Sequence, residues 1–433
     1  MWNGFSGPIR NEGRAVRSGN SDSAKSQKTK RRVLTGISTN VLVLGIVSLM
    51  TDMSSEMIYP IMPLFLIEIG ATGLVIGLIE GASETTASLI KVLSGWYSDR
   101  YRKRKPFILG GYGASSLVKP LLYFATAPWH VLGLRITERV GKGVRSAPRD
   151  ALIADSTDRN YRGRAFGFHK ALDSTGAVIG PLLVIPVLLA AATVTADTYR
   201  MIFLVSAIPA LAAVFIIIMF VREKESGGGN KLGEFFTEVK RLGRPYYLIL
   251  IVVMTFYIGE ISYAFFILKA SDAGVSIAGL EVDISVILLY VLYNIVFVVV
   301  AILSGDLSDR WGRKPIIAAS FVVFALAGLT MAIADLLPLL ILGFVLFGVY
   351  KGASEGVLKA YVTDVAPKQL RGTALGAFHT SVGLVMLPGG LIAGVLWDSS
   401  FGPAGTFAFG AMMAVIALVL LVVIAPGKEV QVS

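Results

Sequence analysis

Repeated apolar segments of about 20 residues, separated by short polar loops, constrain this fold more than any other feature of the sequence. A segment of that length crosses the hydrocarbon core of a bilayer as an α-helix. With 54% hydrophobic and only 16% charged residues, the composition is that of an all-α integral membrane protein. We predict twelve transmembrane helices, within residues 36–68, 74–97, 106–126, 129–154, 163–191, 199–221, 246–270, 282–305, 315–335, 338–363, 372–397 and 404–425.

The charge distribution predicts the orientation of these helices. The net charge is +11, and the surplus lies in short loops at alternate helix ends, as the positive-inside rule expects of cytoplasmic loops. We therefore expect a protein of the plasma (inner) membrane with both termini cytoplasmic, and no nucleic-acid partner. Because the chain has no cysteine, disulfides and thiolate chemistry are excluded.

A long polar interruption divides the chain into two halves. It contains a run of three glycines and several charged residues, which is typical of a linker. The predicted organisation is a mobile basic cytoplasmic tail, an N-terminal six-helix bundle, a cytoplasmic linker, a C-terminal six-helix bundle and a short cytoplasmic tail, at 1–32, 33–221, 222–245, 246–425 and 426–433.

Two motifs recur between the halves at nearly the same spacing. Gly95, Asp99 and Arg100 return 210 residues later as Gly305, Asp309 and Arg310. A second set returns after 209 residues, pairing Lys142, Gly143, Asp155, Arg162, Gly163 and Gly167 with Lys351, Gly352, Asp364, Arg371, Gly372 and Gly376. Two independent repeats at one offset predict an internal duplication and pseudo-symmetric bundles.

The fourth predicted helix carries charge where hydropathy demands a membrane span. Arg135, Arg139, Lys142, Arg145 and Arg149 fall at helical spacing and predict one basic face. A charge near the bilayer centre costs about 2.5–3.5 kcal/mol, so this face must meet a wet cavity or acidic partners. A buried ion-pair network and a substrate or proton pathway both satisfy that requirement.

Acidic pairs on the first two helices are the natural partners of this basic face. Asp52 and Glu56 lie one turn apart, as do Glu80 and Glu84. A desolvated carboxylate beside an arginine suits a proton carrier and equally a silent salt bridge. In the second half, the candidate substrate-binding residues are Tyr257, Glu260, Tyr290, Asn294 and Lys351; in the first half they are Glu56, Glu80, Arg135 and Lys142. No cluster has metal-ligand spacing, so we expect no metal.

The duplicated loop resembles the most specific motif of the major facilitator superfamily of secondary transporters. The second copy matches it throughout, whereas in the first copy Arg102 replaces a glycine and Lys105 adds a residue. The resemblance implies a gate latch, with the loop carboxylate pairing across the halves with basic groups and a helix N-terminus. The implied gating residues are Gly95, Asp99, Arg100, Gly305, Asp309, Arg310, Gly312 and Arg313.

Two further family motifs concern coupling. The fourth helix resembles the motif Arg-x-x-Gln-Gly, with Lys142 in place of the glutamine, which implies a proton-linked role for Arg139. We predict Asp52 and Glu84 as its partners in proton coupling. Gly176, Gly180 and Pro181 match an antiporter-type signature in the fifth helix. They also fit a helix-packing groove with a kink, which needs no transport role.

These features predict a secondary active transporter that moves a small organic solute by alternating access, with proton-coupled export by antiport. The alternative is a transporter of an organic or phosphorylated anion bound by the basic face of the fourth helix. We expect a monomer in the lipid bilayer, with no cofactor and a proton gradient as the energy source. Hydrolase and phosphate-loop motifs are missing from the sequence, so an enzyme is not expected.

Overall fold

The computed structural model describes residues 38–101, 103–158, 161–191, 193–223 and 232–425. The side chains of Asp99, Leu232, Gly233, Glu234 and Phe236 are likewise outside the description. The predicted tails at 1–32 and 426–433, the glycine run of the linker and the gating carboxylate of Asp99 therefore lie outside the described residues.

The described residues form α-helices joined by short connections, with no strand among them. Two single 3₁₀ turns occur at Leu122–Phe124 and Lys368–Leu370. The helices are α1 Thr39–Ile58, α2 Met62–Glu68, α3 Gly73–Tyr101, α4 Lys105–Leu121, α5 Pro128–Asp155, α6 Arg162–Ala190, α7 Ala196–Phe220, α8 Leu232–Lys240, α9 Gly243–Ile258, α10 Tyr263–Asp272, α11 Val282–Trp311, α12 Arg313–Ala332, α13 Leu337–Val365, α14 Arg371–Asp398 and α15 Gly402–Ile424.

Nine helical segments within the described ranges are long and apolar enough to cross a membrane. They include α1 with α2 and α9 with α10, each pair acting as one segment. Three further long helices are not among these nine segments. Helix α4 has only 17 residues, and α3 and α5 carry charged side chains along their length. The all-α membrane fold is thus confirmed, while twelve spans stay a prediction for α3, α4 and α5.

Hydrogen bonds near the helix ends show which ends lie together. Asn40 Nδ2 donates to Ser156 Oγ at 3.1 Å and to the Arg222 carbonyl at 3.0 Å. At the same end of the bundle, Lys314 Nζ donates to the Ala425 carbonyl at 2.9 Å. We call this end the basic face; its connections lie around residues 101–105, 155–162, 221–243, 311–313 and 365–371. The opposite end, the acidic face, has its connections at 69–72, 122–127, 191–195, 273–281, 333–336 and 399–401.

The first helical segment of each half is broken near its acidic-face end. Pro60 lies in the turn between α1 and α2, where a missing N–H and a fixed φ disfavour continued helix. In the second half, residues 259–262 separate α9 from α10, and Ser262 caps α10 by accepting from the Ala264 N–H at 3.3 Å. Tyr59 and Glu260, beside these breaks, lie in the interior between the two halves.

The duplication has a structural counterpart in a repeated polar contact. Ser94 Oγ donates to the Gly143 carbonyl at 2.8 Å, and Ser304 Oγ donates to the Gly352 carbonyl at 3.0 Å. Each contact joins two neighbouring helices in its half, and the pairs are related by the offsets of the sequence repeat. The exact division into bundles at 222–245 stays a prediction.

The glycines of the antiporter-type signature lie where α6 crosses α1. A methyl group on Gly176 would lie 2.6 Å from the Leu49 carbonyl oxygen, and one on Gly180 would lie 2.5 Å from that of Met53. Only glycine permits this approach of two backbones. Pro181 lies inside α6, which continues to Ala190.

Candidate functional site

A cavity of about 430 Å³ lies between the two halves, a size typical of small-molecule sites. Both halves contribute charged and aromatic side chains to its walls. Of the twelve residues predicted for coupling and substrate binding, all except Arg135 line it: Asp52, Glu56, Glu80, Glu84, Arg139, Lys142, Tyr257, Glu260, Tyr290, Asn294 and Lys351.

Arg135 lies behind the cavity wall with only 1% of its surface exposed. Its guanidinium donates to Glu138 Oε2 at 2.6 Å and to Glu80 Oε1 at 3.4 Å. The other Glu80 oxygen accepts from Ser262 Oγ, in the second half, at 3.1 Å. Arg135 therefore holds Glu80 in place, since a buried charge needs paired and hydrogen-bonded neighbours.

Arg139 forms the ion pair expected from the sequence. Its Nη2 lies 3.0 Å from Glu84 Oε1. The ring of Tyr59 lies near both arginines, with its centroid 5.1 Å from the guanidinium carbon of Arg135 and 5.4 Å from that of Arg139. Cation–π attraction fixes this ring at the α1–α2 break. Sequence reasoning did not select Tyr59; its position beside Pro60 was the available signal.

Asp52 has a partner that the sequence analysis did not assign to coupling. Asp52 and Asp173 on α6 both line the cavity, and their carboxyl groups are near enough to act strongly on each other. Asp173 also accepts from Ser48 Oγ at 2.8 Å and from Lys170 Nζ at 2.7 Å. Two carboxyl groups can hydrogen-bond each other only when one of them carries a proton.

The second half contributes an ion pair at its own helix break. Glu260 Oε1 accepts from Tyr350 Oη at 2.7 Å and from Lys351 Nζ at 2.5 Å. The Glu260 side chain is 3% exposed, and its Oε2 has no hydrogen-bond partner among the described residues. Tyr290 donates to Glu56 Oε2 at 2.8 Å and so connects the halves across the cavity.

The remaining predicted cavity residue of the second half also reaches across. Asn294 on α11 donates to the Ala177 carbonyl on α6 at 3.4 Å. Tyr257 lines the cavity one turn before Glu260, and its neighbour Phe256 packs against Phe321 with ring centroids 4.1 Å apart. The aromatic side chains thus form both the cavity wall and the packing behind it.

The structure does not bring together the five cations that the sequence predicts on one side of the fourth transmembrane helix, which is α5. Arg145 donates to Ser115 Oγ at 2.5 Å and lies over the Tyr112 ring, so it faces α4. Arg149 pairs with Asp150 at 2.9 Å. Ten residues rotate an α-helix by about 1,000°, which leaves Arg145 about 80° away from Arg135. Of the five, only Arg139 and Lys142 line the cavity.

The predicted gating residues of the second copy form a local network on the basic face. Arg313 lies 2.6 Å from Asp309 Oδ1 and 3.2 Å from Asp364 Oδ2, and it donates to Ser308 Oγ at 2.6 Å. Arg310 pairs with Asp306 at 2.9 Å. Asp309 thus has its partner within its own loop, and among the described residues it forms no ion pair across the halves. The pairing across the halves stays a prediction.

The glycines of both gate loops and Arg100 of the first copy have the following surroundings. Gly312 ends α11 with a φ of 94°, which favours glycine. Gly305 has open space around its α-carbon, while a methyl group on Gly95 would lie 3.2 Å from the Ala147 β-carbon. Arg100 lies over the Trp96 ring at 5.4 Å.

Comparisons with known proteins agree with this architecture. The sequence profile of the Major Facilitator Superfamily matches residues 44–286 and 282–433. The chain belongs to this superfamily. An uncharacterized MFS-type transporter of Methanocaldococcus jannaschii is 37% identical over 388 residues, covering 90% of this chain and 95% of that protein.

Two further superfamily proteins extend the comparison. Multidrug resistance protein 2 of Bacillus subtilis is 25% identical over 363 residues, covering 79% of this chain and 84% of that protein. The crystal structure of a POT family transporter in complex with a thioalcohol-conjugated peptide superposes with a TM-score of 0.75 at 12% identity, covering 91% of this chain and 99% of that one. The protein is therefore a multi-pass membrane protein and a secondary transporter of a small molecule.

Proposed function

We propose that this superfamily member is a proton-coupled antiporter that exports a small organic solute by alternating access. The observation that carries the proposal is the contact between Asp52 and Asp173 in the wall of the central cavity. A carboxyl pair that shares a proton is a site where proton binding changes the charge presented to cargo.

The surroundings of this pair suit proton exchange. Lys170 is hydrogen-bonded to Asp173, and Lys142 and Glu56 are the other charged groups that act most strongly on Asp52. Loss of the shared proton adds one negative charge to the pair, and cargo that enters the cavity competes with the proton for this pair. Exchange of one for the other is antiport.

The pair of Arg139 and Glu84 supplies a second element with two states. Protonation of Glu84 removes the charge that holds Arg139, which then engages another carboxylate or the cargo. Because Tyr59 lies against Arg139, any movement of the guanidinium is transmitted to the break between α1 and α2. This connects proton binding with the closure of the acidic face.

Export is favoured over import by two observations. The Gly176, Gly180 and Pro181 signature is the antiporter-type motif, and the structure gives its glycines close contacts with α1. The relative from Bacillus subtilis is named for multidrug resistance.

The charge balance of the cavity disfavours the anion alternative. Seven acidic side chains and five lysine or arginine side chains line the cavity, so acids outnumber cations even with one proton on the pair of Asp52 and Asp173. Arg135 and Arg139 are paired with acids, and Arg145 faces away from the cavity. A simple anion would therefore enter a field with surplus negative charge.

Transport by purified protein in liposomes tests the coupling. With an imposed pH gradient and a panel of organic cations, zwitterions and anions, wild-type protein should accumulate at least one class against its gradient. Asp52→Asn or Glu84→Gln fixes one state of its pair and should keep exchange of cargo for cargo while losing uphill accumulation. Asp197→Asn, which removes the pair of an exposed carboxylate with Arg200, is the matched control. Uphill transport that survives in both amide variants would exclude these acids from coupling.

A further inference from the structure

Lys142 stands apart from the other charged side chains of the cavity. Its ammonium group has neither an ion pair nor a hydrogen bond with any described residue, although it lines the cavity wall. The other lysine and arginine side chains of the cavity each lie within 4.0 Å of an acid: Arg139 of Glu84, Lys170 of Asp173, Lys351 of Glu260 and Lys359 of Glu355. Lys142 is thus a cation free to receive a ligand.

Glu56 is the acidic counterpart. It lines the same cavity and accepts a hydrogen bond from Tyr290, but no lysine or arginine of the described chain lies within ion-pair distance of it. Each of the other cavity acids has a cation or a second carboxyl group as its partner. The first half therefore has one cation on α5 and one anion on α1 that form no ion pair with a described residue.

A charge held in a partly buried site without a partner is unfavourable, and a ligand that supplies the partner recovers that cost. Lys142 and Glu56 are close enough to influence each other electrostatically, yet they do not pair. A ligand carrying both signs of charge satisfies the two groups together and leaves the charge of the cavity unchanged. A simple cation or anion satisfies only one of them.

We propose that the cargo is a small zwitterion of the amino-acid type, with its anionic group on Lys142 and its ammonium group on Glu56. Its apolar body would lie on the aromatic wall of the second half, where Tyr293 and Phe347 pack with centroids 5.0 Å apart. This assignment rests on the proposed role of the cavity as the cargo site, and it does not depend on the coupling ion.

A set of four probes that share the phenylalanine skeleton separates the two charges. Phenylalanine is zwitterionic, its amide keeps only the ammonium group, N-acetylphenylalanine keeps only the carboxylate, and N-acetylphenylalanine amide is neutral. Binding to the full-length protein in detergent, measured by calorimetry without any gradient, should be about tenfold tighter for phenylalanine than for either singly charged form. The neutral form should bind most weakly.

Variants assign each charge to its residue. Lys142→Gln should abolish the advantage of a carboxylate, so that phenylalanine and its amide bind equally well. Glu56→Gln should abolish the advantage of the ammonium group, so that phenylalanine and N-acetylphenylalanine bind equally well. Lys269→Gln, which alters a cation paired with Asp335 near the acidic face, should preserve the ranking and controls for general loss of fold.

The outcomes separate this inference from the proposed coupling. Equal binding of all four probes, binding of none of them, or an unchanged ranking in both variants would overturn the zwitterion assignment. Charge-selective binding combined with transport that ignores the pH gradient would leave the assignment intact and refute proton coupling. Transport that is coupled to the pH gradient but does not select cargo by charge would support proton coupling and refute the zwitterion assignment.

Discussion

The interface between α3 and α14 is closed at one end and open at the other. Towards the acidic face the two backbones touch: a methyl group on Gly394 would lie 2.5 Å from the Gly73 carbonyl oxygen, and one on Gly81 would lie 2.8 Å from the Leu387 α-carbon. Towards the basic face the same helices line a second cavity of about 430 Å³. Glycine contacts therefore close one end of the interface, and the halves diverge at the other.

The closed end is reinforced by a charged contact across the halves. The Asp398 carboxylate at the end of α14 accepts from the N–H groups of Gly73 and Leu74, each at 2.8 Å. These N–H groups begin α3, where the helix dipole favours a negative charge. Tyr199 Oη donates to Asp283 Oδ1 at 3.1 Å and joins the halves at the same face.

The open end relies on side chains and on the linker helix. A methyl group on Gly376 of α14 would lie 3.1 Å from the ring of Phe235 in α8. Thr373 donates to Glu238 Oε2 of the same helix at 2.5 Å. Main-chain contacts between rigid helices are short-ranged and exclude water, whereas side-chain contacts adapt. The comparison indicates a conformation that opens towards the basic face.

The largest effect should come from blocking the glycine contact. Gly77 lies against the Gly390 carbonyl with no room for a β-carbon, so Gly77→Leu should prevent closure of the acidic face. We expect transport to fall at least about tenfold, because overpacking costs about 1–3 kcal/mol. Cysteine accessibility provides the measurement, since the chain contains no native cysteine. A cysteine at Tyr59 should then become reactive from the acidic face.

The matched control for this experiment is Gly110→Leu. No atom lies within 4 Å of a methyl group placed there, and Gly110 is an exposed helix position. It should leave transport and labelling unchanged. Wild-type accessibility and transport in the Gly77 variant would show that the glycine contact does not close the acidic face.

An intermediate effect should follow from removing the charge at Asp398. Asp398→Asn keeps the shape but weakens two charge-assisted hydrogen bonds, each of which contributes about 1.5–3 kcal/mol when intact. The population open to the acidic face should rise by about tenfold, measured by single-molecule fluorescence between labels on the two halves. Asp335→Asn, on a side chain that is 79% exposed and paired within the second half, should cause no shift. Equal shifts in both variants would argue against a latch at Asp398.

The smallest effect should come from Asp309→Asn on the open side. Asp309 is 65% exposed and pairs within its own loop, and such surface pairs contribute about 0–1 kcal/mol. The resting conformation should therefore change little, while the transport rate falls by a few fold if Asp309 pairs across the halves later in the cycle. Stopped-flow assays measure the transport rate, and single-molecule fluorescence measures the resting conformation. A large shift of the resting conformation would show that the basic face is already latched.

Helix periodicity was sufficient to predict the all-α membrane fold and eight of the twelve charged side chains that line the cavity. The pairs Asp52 with Glu56 and Glu80 with Glu84 share a face because residues one turn apart always do. Their depth follows from their distance to the loops. These are properties of one helix, and the sequence determines them locally.

Contacts between helices were not predictable in the same way, because they depend on how each helix is rotated. Asp173 meets Asp52 only through the packing of α6 on α1. Lys119 is 1% exposed and donates to Ser54 at 2.6 Å and to Ser55 at 3.1 Å, although a lone lysine in an apolar helix gives no indication of its neighbour. The position of Arg145 away from the cavity, by contrast, follows from the period of a single helix and was open to prediction from the sequence.

Paired distance measurements test alternating access most directly. Spin labels at Thr72→Cys and Ser400→Cys report on the acidic face, and labels at Lys103→Cys and Lys368→Cys report on the basic face; all four positions are exposed. Double electron–electron resonance records both distances at about pH 5 and about pH 8, because proton binding is proposed to shift the conformational equilibrium. The account predicts that the two distance distributions shift in opposite directions, because closing one end opens the other. Distances that widen together, or that stay fixed at both pH values, would contradict it.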